Sequence, residues 1–126
     1  MASLVIFSSN VPRLAAFYEA ILGATPTIES SGDIRLFSQQ DEVLIHSIPA
    51  KTARTIQVSV PPVPRDEAAM KPGFDVAALE MTLERVRTNG GVVTKRNFIH
   101  NGVARHDVLD PEGNVITLRS RVSPNE

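Results

Sequence analysis

The sequence predicts an α+β fold built from two copies of one β-α-β-β-β unit, and three observations predict it. Two amphipathic helical stripes each follow a short extended run and end on glycine. Three further strand-like segments follow each stripe, and the second series repeats the first at about half the chain length. Units this small cannot bury their apolar faces alone, so the two sheets are expected to join.

Leu4, Val5, Ile6 and Phe7 form a β-prone run that stops at the polar cluster Ser8, Ser9, Asn10. Asn10 offers a side-chain cap and Pro12 a pre-set φ, so a helix is expected to begin here. Leu14, Tyr18, Ile21 and Leu22 recur at helical spacing, Phe17 widens the stripe, and Gly23 supplies a left-handed stop. Residues 25–29, 33–38 and 42–48, separated by turns at Ser31-Gly32 and at 39–41, read as an antiparallel run that completes module one, about residues 1–48. In module two, about 73–122, residues 74–76 are extended and Leu79, Leu83 and Val86 form a stripe ended by Asn89-Gly90-Gly91. Strand-like pieces follow at 92–96, 103–109 and 115–121. The intervening residues 49–72 hold five prolines and read as an extended linker, within which 55–60 alternates polar and apolar residues as an extra strand would. The second module therefore opens either at Thr55 or near Gly73.

A chain of 126 residues, 42% apolar, buries roughly two thirds of the surface its unfolded form exposes, which suits a single domain over 1–126. The absence of cysteine removes disulfides, thiolate metal sites and cysteine nucleophiles, and fits a reducing compartment, by default the cytoplasm. The apolar run up to Phe7 is too short for a secretory or membrane-spanning segment, so no membrane partner is expected. Thirteen basic residues against fourteen acidic ones, scattered and netting −1, lack the footprint of a nucleic-acid binder.

Three segments carry a family resemblance: residues 17–24, with Phe17, Tyr18, Gly23 and Ala24; the Gly90-Gly91 pair; and residues 110–118, from Asp110-Pro111-Glu112-Gly113-Asn114 to Leu118. In this order and spacing they resemble the vicinal oxygen chelate superfamily of glyoxalases, bleomycin-resistance proteins and extradiol dioxygenases, over nearly the whole chain except 49–70. The resemblance implies a curved, cup-shaped mixed sheet with helices on its outer face. It does not choose a function, because that fold hosts lyases, epimerases, dioxygenases, antibiotic-modifying enzymes and metal-free binding proteins. Without any family, Asp110-Pro111-Glu112-Gly113 is a turn joining two strands, and Asp110 and Glu112 are expected to have that structural role alone.

Metal-dependent members hold a divalent cation with histidine, glutamate or glutamine on four strands. Carried onto this chain, those positions fall on Ser3, on Ile45 or His46 according to a one-residue register, on Lys71, and on Thr117, with Gln57 replacing Lys71 if the second module opens at Thr55. Hydroxyls are poor ligands and an ammonium repels a cation, so neither metal nor other cofactor is expected. The remaining histidines, His100 and His106, have no ligand spacing.

Alternation gives an independent route to the cup lining. Val115, Thr117, Arg119 and Arg121 share the face opposite Ile116, Leu118 and Val122, while Ser3, Val5 and Phe7 oppose Leu4 and Ile6. The candidate ligand-binding residues are therefore Val5, Phe7, Arg35, His46, Gln57, His106, Thr117 and Arg119. They suit a small molecule with an apolar or planar body and an acidic group, for which arginine is the natural fork. His46, His106 and Asp107 are the residues able to move a proton near neutral pH, but adjacent His106 and Asp107 point to opposite faces, and no nucleophile motif, phosphate loop or dinucleotide fingerprint is present. The expectation is metal-independent capture of a small molecule by a homodimer, with enzymatic activity not required. One alternative is a metal-dependent lyase, isomerase or dioxygenase in which His46 converges with Gln57, His100 or His106; another is a structural or partner-binding subunit.

Overall fold

Asn10 ends the first strand and starts the first helix. Its side chain accepts the Arg13 N–H at 3.2 Å, and Gly23 closes the helix at φ 61°, so both expected boundary signals operate. A computed structural model describes residues 2–53, 56–65 and 67–122. The chain divides into two units, Met1–Val58 and Ser59–Glu126. Among the described residues no helix is long and apolar enough to cross a membrane.

The first unit runs β1 (Ala2–Ser8), α1 (Val11–Leu22), β2 (Thr25–Ile28), β3 (Ile34–Phe37), β4 (Asp41–Ser47) and a short α2 (Ala50–Ala53). Its four strands form a mixed sheet in the order β1-β4-β3-β2, with β1 parallel to β4 and the other pairs antiparallel. Helix α1 packs on β2, β3 and β4. Leu14, Phe17, Tyr18 and Ile21 are buried in α1, as are Leu36, Val43 and Ile45 in the sheet. The Phe17 and Tyr18 rings meet edge to face at 5.1 Å, a favoured aromatic geometry. Each such side chain contributes about 1.5–3 kcal/mol by leaving water.

The second unit repeats the plan with β5 (Gly73–Asp75), α3 (Leu79–Thr88), β6 (Val92–His100), β7 (Val103–Leu109) and β8 (Val115–Arg121). Its sheet order, β5-β8-β7-β6, and its single parallel pair, β5 with β8, match the first unit position for position. The fold is thus α+β with two four-stranded mixed sheets, and the internal repeat read from the sequence is real. Helix α3 packs on β6 and β8, burying Leu83 and Val86 as expected and also Thr82, whose hydroxyl donates to the Ala78 carbonyl at 2.8 Å.

The β7–β8 turn is organised by one carboxylate. Asp110 Oδ1 accepts the N–H groups of Glu112 and Asn114 at 2.9 and 3.0 Å, and Oδ2 accepts the Asn114 amide at 2.8 Å. Gly113 takes φ 86°, and a Cβ there would lie 2.2 Å from the Val63 carbonyl oxygen. That contact exists because the proline-rich segment docks on the turn: Arg65 N–H donates to Gly113 O at 3.0 Å and Arg65 Nε to Glu112 O at 2.9 Å.

Two local expectations change and one open alternative closes. Residues 56–60 pair with neither sheet, so the extra strand does not form among its described residues; Thr55 lies outside them. The first strand of the second unit's sheet lies at Gly73, after the prolines rather than before them, because Pro61, Pro62 and Pro64 have no N–H to give a ladder. Strand β6 extends four residues beyond its expected end, to His100, with a register shift between Val93 and Asn97 that the pattern of side chains does not announce.

Candidate functional site: two uncovered sheet faces

Register decides which side chains share a face. In the first unit Val5 lies beside Leu44, Phe7 beside His46, and Leu44 beside Arg35. These residues alternate with Ile6, Val43, Ile45 and Leu36, which lie on the side packed by α1. Val5, Phe7, Arg35 and His46 therefore share the face that α1 leaves uncovered. The choice between Ile45 and His46 is also resolved, since Ile45 is buried on the helix side.

Val5, Phe7 and Phe37 are 47%, 61% and 41% exposed, a large apolar surface for one small sheet. The Phe7 and His46 rings lie 5.4 Å apart at 47°. His46 Nδ1 is 2.8 Å from the Ser47 carbonyl oxygen, and Nε2 is 3.6 Å from Asp33 Oδ2. Asp33 Oδ1 accepts the Ser47 N–H at 3.0 Å; this bond, opposed by desolvation and aided by Ser31 and by the His46 charge, holds the carboxyl below its ordinary value. Arg35 donates to Glu29 at 2.9 Å and to Glu42, which raise its basicity further and compensate its charge. Asp33, Phe37 and Leu44 were absent from the expected set, although the alternation of 33, 35 and 37 places Phe37 with Arg35.

In the second unit Asp107 lies beside Thr117 and Arg105 beside Arg119, while Gly73 and Asp75 flank Thr117 and Arg119 on the other side. Lys71 Nζ is 3.1 Å from Asp107 Oδ2, Arg96 Nε 3.6 Å from the same oxygen, and Arg119 Nη2 2.8 Å from Asp75. Two expected residues do not join this group. His106 lies beside Leu118 on the opposite face, with Nε2 2.6 Å from the Thr94 carbonyl oxygen, because strand alternation separates it from Thr117 and Arg119. Gln57 is exposed in the segment outside both sheets.

The donor chemistry at the positions implied by the family does not fit a divalent cation. Ser3 is an exposed hydroxyl, Thr117 a hydroxyl, and the Lys71 ammonium is bonded to Asp107, so of these positions only His46 carries a metal-binding side chain, its register alternative Ile45 being an alkyl group under α1. Among the described residues no three His, Asp or Glu side chains converge as a metal site requires.

No family model and no curated protein matches the sequence. Solved structures do. A glyoxalase/bleomycin resistance protein/dioxygenase family enzyme from Burkholderia phytofirmans PsJN is similar with a TM-score of 0.72 and 18% identity, covering 95% of this chain and 97% of that one. A glyoxalase/bleomycin resistance protein from Albidiferax ferrireducens T118 is similar at 0.68 and 18% identity over 96% and 98%. The fosfomycin resistance protein FosX from Mesorhizobium loti is similar at 0.63 and 11% identity over 98% and 92%. With its repeated β-α-β-β-β units, the chain has the fold of the glyoxalase, bleomycin-resistance and dioxygenase proteins.

Proposed function

We propose that the protein captures a small organic molecule without a bound metal. The observation that carries this reading is the uncovered face of the first sheet, where Val5, Phe7, Leu44 and Phe37 expose apolar surface around His46 and Arg35. Aromatic rings beside a few oriented polar groups are the usual lining of a small-molecule site. The apolar surface takes a planar or aliphatic body, and His46, steadied by Ser47 and Asp33, presents the polar contact. Arg35 is held between two glutamates, so it orients rather than neutralises a ligand. Resistance proteins among the similar structures are in keeping with capture of a foreign compound. The same reading takes the protein as a cytoplasmic homodimer, for which sedimentation at micromolar concentration is the check; a monomer removes that part.

The deciding measurement is elemental mass spectrometry of the untagged protein after incubation with iron, manganese, nickel and zinc and exhaustive dialysis. Far less than one metal per chain is expected. Retention of about one per chain overturns metal independence and makes a metal-dependent lyase, isomerase or dioxygenase the better reading.

A further inference from the structure

We infer that the uncovered face of the second sheet is an oxyanion site, in which Arg105 and Arg119 grip a carboxylate or phosphoryl group of a small ligand. The inference stands on this sheet alone and does not depend on the preceding reading.

Arg105 and Arg119 are direct cross-strand neighbours on β7 and β8. Like charges in that position repel, so the pair costs stability unless something negative lies with it. The structure deals with the two cations by drawing them apart. Arg119 leans toward β5, where Nη2 reaches Asp75 at 2.8 Å. Arg105 leans toward β6, its guanidinium 5.7 Å from the centre of the Phe98 ring and Nη1 3.4 Å from the His100 carbonyl oxygen. Their stems start side by side while their forks are anchored on opposite strands. An anion placed over the two stems therefore meets positive charge from both sides.

Charge on the rest of the face favours an anion as well. In the next row Asp107 is shared by Lys71 and Arg96, so one carboxylate answers two cations, and Asp75 is the partner of Arg119. Lys71, Arg96, Arg105 and Arg119 thus face two carboxylates on a sheet whose chain has a net charge of −1. Arg119 also retains a donor. Its Nε–H is shielded and makes no hydrogen bond among the described residues, an arrangement that costs free energy until an acceptor arrives. The neighbouring position is Gly73, where a Cβ would lie 3.7 Å from that nitrogen and 3.1 Å from Thr117 Cγ2; a side chain at this position would press on both, and glycine keeps them clear of it.

The test uses the ¹⁵N-labelled full chain titrated with sodium phosphate and, separately, sodium benzoate, with ionic strength held constant by sodium chloride. The Arg119 Nε–H resonance and the backbone amides of Arg105 and Arg119 are followed. A saturable shift with either anion is expected, and the one that saturates at lower concentration identifies the ligand group as phosphoryl or carboxylate. Arg105→Gln and Arg119→Gln should each weaken binding about tenfold or more, whereas Arg87→Gln on α3 should leave it unchanged. Shifts that stay linear with both anions overturn the inference, as does wild-type affinity in both glutamine variants. The wild-type titration decides the matter even if a variant fails to fold.

Discussion

Phe7 carries most of its ring into solvent beside His46, so its removal separates binding from folding. Phe7→Ala is expected to leave the urea midpoint nearly unchanged while weakening a planar aromatic ligand of the first sheet about tenfold or more, read by ¹⁵N shift titration. Asp33 is a second informative residue because its folded-state carboxyl is held below the ordinary 3.8, chiefly by the Ser47 N–H. A depressed folded pKa means that the unfolded chain takes up the proton first. The stabilisation is therefore complete above roughly pH 5 and is lost as pH falls through 3.8 and then through the lower folded value. The gap in urea midpoint between wild type and Asp33→Asn should be constant from neutrality to that point and close below it; a gap that persists at the acid end would show that Asp33 acts through packing alone.

At the scale of elements, the β7–β8 hairpin shows how a short motif binds a distant segment. Asp110 satisfies two backbone N–H groups and one side-chain amide in a buried turn. Asp110→Ala should cost roughly 2–4 kcal/mol by leaving those donors unpaired. Gly113→Ala meets both a positive φ and the Val63 carbonyl 2.2 Å from the new Cβ, so the docked proline segment must lift away. Urea unfolding should show Gly113→Ala losing stability by about 2 kcal/mol or more, with proteolysis appearing first near Val63 to Arg65. If Gly113→Ala is as stable and as resistant as wild type, the docking of this segment contributes nothing.

At the scale of the whole molecule, each unit has two inner strands, β4 with β3 and β8 with β7, paired on both sides, and two edges. Amide hydrogen exchange should be slowest in Val43–Ile45 and Val108–Leu109, whose side chains are mostly buried, and fastest in the second half of β6, which is exposed throughout. Equal protection along β6 would show that something covers that edge in solution.

The sequence by itself determined the elements and their repetition. Helix α1 was legible because its signals are local: a capping Asn10, a stripe at helical period, and a glycine at the stop. Strands β7 and β8 were read to the residue for the same reason, since alternation and the Asp110–Gly113 turn lie within one short stretch. Alternation also put Thr117 with Arg119 and separated His106 from Asp107. It could not say which residue of β8 would lie beside His106, because cross-strand register is not local, and that is why His106 was grouped with residues whose face it does not share. Tertiary structure decided the rest through register. Burial of Ile45 under α1 left His46 beside Phe7 on the other face, pairing of Arg105 with Arg119 created the cationic face, and Lys71 met Asp107 across 36 positions of sequence. Register depends on how whole apolar faces find their helices and on turn geometry, so it belongs to no single segment, and a shift of one residue would send every one of these side chains to the other side.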